Sequence, residues 1–140
     1  MNPFFRTDLS ISDSLKTVRK SVLIYETIID NETFLKLDEL NQDYIIRLTS
    51  RRNLFFRGKW VSATHLRDQR KGKIKTPLLF RRKYHDAYLS HVKVQITASQ
   101  KDIYLVLVYG ITEHPMMLAM NKEIQSKEDV INVAKTYFSR

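Results

Sequence analysis

Residues 22–49 read VLIYETIIDNETFLKLDELNQDYIIRLT and contain the pattern that decides the fold. Residues 22–29 are apolar and rich in β-branched side chains, which is typical of a buried strand. Residues 44–49 have the same character and predict a second strand. A short helix between two such strands makes a βαβ unit, so we expect the strands to be parallel and to lie in one sheet.

The residues between these strands carry the signals of a helix. Asp30 or Asn31 is a suitable N-cap, because either side chain can accept a hydrogen bond from the first turn. Three apolar residues then repeat at helical spacing, namely Phe34, Leu37 and Leu40. We expect all three to lie on one face of the helix and Asn41 to end the helix.

Further elements are predicted on both sides of the βαβ unit. Upstream, Ser10 and Asp13 form a pattern like a capping box and predict a helix over residues 10–21. Residues 64–75 are polar and basic, and their pattern predicts no element. The other expected elements are a hairpin over residues 53–61 that turns at Gly58, strands over residues 84–97, 103–109 and 116–120, a turn over residues 99–102, and a final helix with a capping box at Ser126 and Asp129.

Positive charge is concentrated in one third of the chain. The 140 residues have a net charge of +9, and residues 47–93 hold fourteen lysines and arginines against two acids, Asp68 and Asp86. That segment has a charge of +12, whereas the remainder has −3. The imbalance indicates a polyanionic partner, with nucleic acid as the first candidate and an anionic membrane surface as the second. The alternative is a solvated basic face that serves only solubility.

The composition excludes several classes of protein. Hydrophobic residues make up 43% of the chain and charged residues 28%, as in an ordinary globular domain. There is no cysteine, hence no disulfide, no thiolate nucleophile and no cysteine-ligated metal. No apolar run approaches the roughly 20 residues of a membrane span, and residues 1–6 have no apolar signal core. We expect a cytoplasmic protein.

Few residues are arranged for catalysis. The four histidines lie in unrelated contexts without metal-ligand spacing, at positions His65, His85, His91 and His114. Phosphoryl transfer by two metal ions needs carboxylates from several elements. Glu26 lies inside the first predicted strand of the βαβ unit, and Asp30 lies just past the end of that strand. The alternative to a catalytic role is helix capping for Asp30. For Glu26, the alternative is a side chain that simply points out of the sheet.

The basic segment interleaves cations with aromatic residues. Residues 51–60 read RRNLFFRGKW. Arginine and lysine neutralise phosphates, whereas Phe and Trp either stack on bases or fill the core. For Phe55, Phe56 and Trp60 we favour the core. The cations of residues 70–83 lie in poor contexts for a core, so we expect them to face outward and to contact phosphates without reading bases.

Several stretches of the sequence, in order, resemble the pattern of one known family. The match covers roughly residues 22–140, and its order and spacing hold throughout. Its main pieces are FLKLDELNQDYIIRL (residues 34–48), RNLFFRGK (52–59), LVLVYG (105–110), EHPMML (113–118) and the final stretch (126–140). The first two resemble a helix-to-strand passage and its continuation, and the others resemble the last strand and the start of the last catalytic helix. The group is the DDE transposases of the insertion-sequence-four type.

The resemblance implies an α/β fold with a partial ribonuclease-H-like core. That core would comprise the βαβ unit (residues 22–49) and the start of the last core helix (residues 126–140). A β-rich insertion with a return strand (residues 50–121) would interrupt it, within a single truncated catalytic domain over residues 1–140. Because the first three core strands have no counterpart, we expect an exposed edge of a normally buried sheet and a chain that is marginally stable or needs a partner.

The family's catalytic residues are three carboxylates that hold two Mg²⁺ ions. Here Glu26 or Asp30 is the candidate for the second acid, and both assignments stay open. Tyr137 and Arg140 match the tyrosine and arginine of the family's last helix, whose glutamate would follow four residues beyond Arg140. We therefore expect no metal ion to be bound by this chain alone, and whether the chain is an enzyme is left open.

The resemblance implies DNA at transposon ends as the partner, with a full-length transposase as a further candidate. We expect neither a membrane nor a small-molecule substrate as a partner. The residues expected to contact DNA are Arg51, Arg52, Arg57, Lys59, Arg70, Lys71, Lys73, Arg81, Arg82, Lys83, Tyr137 and Arg140. The expected function is that of a transposase fragment that binds DNA and is catalytically incomplete. The alternatives are a retained DNA-binding or regulatory module and an unrelated basic RNA-binding protein.

Overall fold

The computed structural model describes residues 4–8, 21–25, 31–48, 52–96 and 99–139. The helix predicted over residues 10–21 lies outside these ranges, except for Ser21, which begins a strand. Four of the residues discussed above also lie outside them, namely Glu26, Asp30, Arg51 and Arg140.

The described residues form a mixed α/β fold with nine strands and three helices. The strands are β1 (Phe4–Asp8), β2 (Ser21–Tyr25), β3 (Tyr44–Arg47), β4 (Asn53–Phe56), β5 (Lys59–Ser62), β6 (Ile74–Phe80), β7 (Lys83–Ile96), β8 (Ser99–Tyr109) and β9 (Met116–Met120). The helices are α1 (Asn31–Glu39), α2 (Ala63–Gln69) and α3 (Lys127–Phe138).

All these strands belong to one sheet, in the order β1-β2-β3-β9-β8-β7-β4-β5, with β6 also paired to β7. β2 and β3 are parallel and α1 connects them, which confirms the predicted βαβ unit. β1 pairs antiparallel with β2. β2 thus has a neighbour on each side, and among the described strands β1 forms the edge of the sheet at this end.

The strands of the predicted insertion continue the same sheet. β3 pairs with β9, β9 with β8, and β8 with β7, all antiparallel. The outer edge of β7 is shared between β6, which pairs with residues 83–89, and β4, which pairs with Gln95 and Ile96. The turn predicted over residues 99–102 was wrong, since β8 already begins at Ser99 and pairs there with Ile96.

Helices cover both faces of the sheet. α1 and α2 contribute to one buried cluster and α3 to the other. Residues 105–108 in the second half of β8 are fully buried, with alternate side chains in the two clusters. A strand that is covered on both faces needs no polar positions, which explains the uninterrupted apolar run of this stretch.

The ends of the helices largely follow the predicted signals. Phe34 and Leu37 of α1 are buried, and Asn41 has a φ of 55° just after the helix. Leu40 was wrongly placed on the same helical face: it lies past the last residue of α1 and is 66% exposed. At α3, the Ser126 cap is confirmed, because its side chain accepts a hydrogen bond from the amide of residue 129 (3.2 Å). The Asp129 carboxylate accepts from the amide of Gln125 (2.9 Å), one residue before the cap.

The Tyr44 hydroxyl is buried, and among the described residues it has no hydrogen-bond partner. Burial raises the pKa of Tyr44, with Asp38 adding to the rise and Arg52 opposing it. An unsatisfied buried donor is costly, so we expect Tyr44→Phe to raise the free energy of unfolding by about 1 kcal/mol in urea denaturation. Tyr137→Phe is the matched control.

The Tyr137 hydroxyl differs from that of Tyr44 in being hydrogen-bonded to Arg47. Removing it is expected to lower the free energy of unfolding by about 1 kcal/mol. Equal losses of stability for the two substitutions would contradict the assignment of an unsatisfied hydroxyl at Tyr44.

Candidate nucleic-acid interface

The hairpin predicted at Gly58 is formed by β4 and β5. Phe56 pairs with Lys59, so Arg57 and Gly58 alone make the turn. Their φ angles are 50° and 80°, and positive φ at both central residues is the requirement of a type I′ turn. Arg57 thus holds a left-handed backbone conformation that costs an L-residue about 1–2 kcal/mol.

The aromatic residues of this hairpin are divided between core and surface. Phe56 is half-buried against the cluster under α1 and α2, and the Arg57 guanidinium lies 4.9 Å from the centroid of its ring. Phe55 and Trp60 pack edge to face with their centroids 5.2 Å apart. The core location favoured for Trp60 was wrong, since that residue is 55% exposed.

A second hairpin, formed by β6 and β7, carries the densest run of cations. Phe80 pairs with Lys83, and Arg81 and Arg82 make the turn with φ angles of 52° and 66°. The Arg81 guanidinium lies 5.0 Å from the centroid of the Phe80 ring. All three cations of this tip are exposed, as expected from the sequence.

The loop that joins α2 to β6, residues 70–73, lies against β7. The Arg70 guanidinium donates to the Ser90 hydroxyl (3.3 Å) and to the carbonyl of His91 (3.0 Å). The amide of Lys73 donates to the carbonyl of Leu89 (2.9 Å). These bonds fix the loop on the middle of β7, while the Lys71 and Lys73 side chains remain exposed.

Two residues that the sequence pattern did not single out hold this loop in place. A Cβ on Gly72 would lie 2.5 Å from the backbone carbonyl of Tyr88, so only glycine allows the loop to approach β7 this closely. The Tyr109 hydroxyl lies 2.8 and 2.9 Å from the carbonyl oxygens of Arg67 and Arg70, at the end of α2. Burial is the main cause that raises the pKa of Tyr109.

The loop borders an open cleft of about 470 Å³. Side chains with hydrogen-bond donors converge on it from the loop and from β7, namely Arg70, Lys71, Lys73, Ser90 and His91. An anion of the size of a phosphate group would meet donors from both elements, and the arginine is already oriented by its bonds to β7.

Seven exposed cations are contributed by the two hairpin tips and the loop; we call them the tip and loop cations. They are Arg57, Lys59, Lys71, Lys73, Arg81, Arg82 and Lys83. The ion pairs of this region involve other residues, such as Lys75 with Asp86 (3.8 Å) and Arg67 with Asp68 (3.0 Å). Within the described part of the chain, no carboxylate lies within 4.0 Å of a tip or loop cation.

Two further residues expected at a DNA surface lie in the core or at its border. Arg52 is partly buried, with its guanidinium 4.8 Å from the centroid of the Phe34 ring, and burial lowers its pKa. Tyr137 is only 2% exposed and belongs to the cluster under α3. Burial raises the pKa of Tyr137, and the hydrogen-bonded Arg47 opposes the rise.

The described residues contain no group of three or more His, Asp or Glu side chains arranged to hold a metal ion. None of their helices is long and apolar enough to cross a membrane. A scan against protein-family models finds no family that matches the chain. A search of curated proteins finds no significant match.

Proposed function

We propose that this chain is part of a DDE transposase of the insertion-sequence-four type and that it binds DNA through its basic β-rich segment. Three features support the assignment to that group. The sequence matches run in the same order as in the family, the βαβ unit has its two strands parallel, and a capped final helix follows the last strand. In this proposal, β2, α1, β3 and α3 belong to a partial ribonuclease-H-like core.

The observation that carries the DNA-binding proposal is the set of tip and loop cations. Seven exposed positive side chains, unpaired with any described carboxylate, create a strong local positive potential. Their backbone is held by two tight hairpins and by the bonds of the loop to β7. When these cations bind DNA, they release counterions from it. Because their backbone is already held, binding costs little further conformational entropy of the backbone.

The catalytic part of the proposal concerns Glu26 and Asp30, which lie outside the described residues. In the family, Mg²⁺ ions would supply activation of the nucleophile and stabilise the leaving oxygen. At most one of the family's three carboxylates has a counterpart in this sequence, so we propose that the chain alone is inactive. Incubation with Mn²⁺ and supercoiled DNA should give no nicking. Nicking that EDTA abolishes would contradict this proposal.

Binding to duplex DNA is the direct test of the proposed function. Fluorescence anisotropy with a labelled duplex of about 20 base pairs at about 50 mM salt should show saturable binding that weakens steeply with added salt. An RNA hairpin of the same length is the competitor that separates the RNA-binding alternative. No binding at low salt, or a preference for the RNA, would overturn the proposal.

A further inference from the structure

The two hairpins that bear the tip cations repeat one another. Residues 55–60 read FFRGKW and residues 79–84 read LFRRKY. In each, an apolar residue and a phenylalanine precede a two-residue turn that begins with arginine, and a lysine and an aromatic residue follow it. This correspondence becomes visible only when the two turns are aligned, because it depends on the order of residues and not on hydrophobicity or total charge.

The repetition extends to the backbone and to the side chains. Three arginines occupy left-handed positions at the turns, Arg57, Arg81 and Arg82, where Asn and Gly are the residues that type I′ turns favour. In each hairpin the first arginine lies over the preceding phenylalanine, at 4.9 Å and 5.0 Å. Strained arginines at two equivalent tips are unfavourable for folding and therefore point to a ligand that needs the charge there.

Each hairpin is anchored separately. Phe56 packs against the cluster under α1 and α2, whereas Phe80 packs edge to face on Phe138 of α3, with centroids 5.9 Å apart. The final aromatic residue of each repeat stays exposed, Trp60 at 55% and Tyr84 at 70%. Changes at one tip should therefore leave the other folded.

The register of the sheet gives the distance between the two hairpins. Phe55 pairs with Gln95 of β7, and the equivalent residue of the other hairpin, Leu79, pairs with Tyr84 of β7. These partners are eleven residues apart, roughly 36 Å at about 3.3 Å per residue. Because β4 and β6 both run antiparallel to β7, both turns point toward the same end of that strand.

The basic loop of residues 70–73 lies between the two hairpins. Lys73 is bonded to Leu89, and Arg70 to Ser90 and His91, which are close to the midpoint of the interval on β7. Positive charge is thus found at three positions along β7, namely beside each hairpin and at the loop between them. The distance along β7 between the two hairpins is close to one helical turn of duplex DNA, about 34–36 Å.

We propose that the two hairpins are matched fingers that bind the backbone of one DNA duplex at two points about one helical turn apart, with the basic loop between them. The inference rests on the proposed function in that the partner is DNA. It goes further in requiring a duplex long enough to reach both fingers. Its consequence is bivalent binding, in which both fingers contribute to the affinity together only when the duplex spans the distance between them.

Two variants remove one finger each without opening its turn. Arg81→Asn with Arg82→Gly, and Arg57→Asn with Lys59→Gln, each remove two positive charges and install the residues that a type I′ turn favours. We expect the Tm of both variants to be unchanged or a few degrees higher than that of the unaltered chain. Lys36→Gln with Lys127→Gln removes the same charge from exposed helical positions and is the control.

Affinities are to be measured by anisotropy at about 50 mM salt with duplexes of about 8 and about 20 base pairs, which are about 27 and 68 Å long. On the longer duplex, either finger variant should bind about 100-fold more weakly, since each phosphate that is no longer neutralised costs about tenfold. On the shorter one, the reduction should be about twofold, because the duplex can occupy the intact finger. The control should change either affinity by less than about threefold.

Three outcomes would overturn the two-finger proposal while leaving DNA binding intact. They are an equal reduction of affinity on both duplexes, no reduction for one of the fingers on the longer duplex, and tighter binding of a single strand than of a duplex of the same length. Failure of the unaltered chain to bind either duplex would instead refute the proposed function. A lowered Tm in a finger variant would contradict the strain assigned to its arginines.

Discussion

Replacing Arg81, Arg82 and Lys83 with glutamate is expected to lower the affinity for a duplex of about 20 base pairs by at least about a thousandfold at about 50 mM salt. The three side chains are exposed at one tip, and no described carboxylate pairs with them. Each neutralised phosphate contributes about tenfold at this salt concentration, and the reversed charges would in addition repel the phosphates that the three cations attract. The slope of log K against log salt should also become shallower by about three.

A control with the same change in charge separates local contact from overall charge. Lys36, Lys122 and Lys127 are exposed elsewhere on the chain, and their replacement with glutamate should cost much less affinity than the tip variant. Thermal unfolding of both variants reports whether the fold is kept. If the tip variant binds within about tenfold of the unaltered chain, the β6–β7 tip is not part of the DNA interface.

The parts of the fold that the sequence predicted are those where one local signal decides the structure. The apolar, β-branched runs predicted over residues 22–29 and 44–49 contain the parallel strands β2 and β3, in which residues 22–24 and 44–46 are buried, since such runs have few other stable locations. The Gly58 hairpin and the Ser126 cap depend on turn and capping chemistry that acts within four residues. These elements could therefore be placed without knowledge of their distant neighbours.

The elements that were missed depend on tertiary partners. α2 buries only Ala63 and Leu66, too short a pattern to stand out among polar residues. β6 contains Pro77, a residue that sequence patterns count against a strand, but this strand lies at an edge where proline is tolerated. β1 is defined by its pairing with β2, and no local signal marks it.

The candidate site was predicted in part. The charge of residues 70–83 marked the exposed cations correctly, because cations that lack a carboxylate partner rarely enter a core. Arg70 is the exception, since it is half-buried and its guanidinium is bonded to β7. The sequence could not identify the residues that position them: Ser90 and Tyr109 act through bonds to a loop about twenty and forty residues away. The repeated FR-x-K pattern is the one signal, visible in the sequence, that relates the two tips to each other.

Gly72→Ala is expected to lower the free energy of unfolding by about 3 kcal/mol, at the upper end of the usual cost of overpacking. A Cβ at this position would lie 2.5 Å from the backbone carbon and oxygen of Tyr88. Backbone atoms of a paired strand cannot swing aside as a flexible side chain can, so the loop itself must move away from β7. The neighbouring Lys71 and Lys73 would move with it, and duplex affinity should fall by about tenfold for each phosphate that these lysines no longer reach.

Gly58→Ala is the matched control, because it separates steric overlap from backbone conformation. Gly58 has a φ of +80°, and a Cβ there would meet no atom within 4 Å, so its replacement should cost only the strain of a left-handed L-residue, about 1–2 kcal/mol. Urea denaturation of the two variants measures the order directly. If Gly58→Ala proves as destabilising as Gly72→Ala, the close packing of the basic loop on β7 does not hold that loop in place. The cleft beside Arg70 would then have to be formed by other contacts.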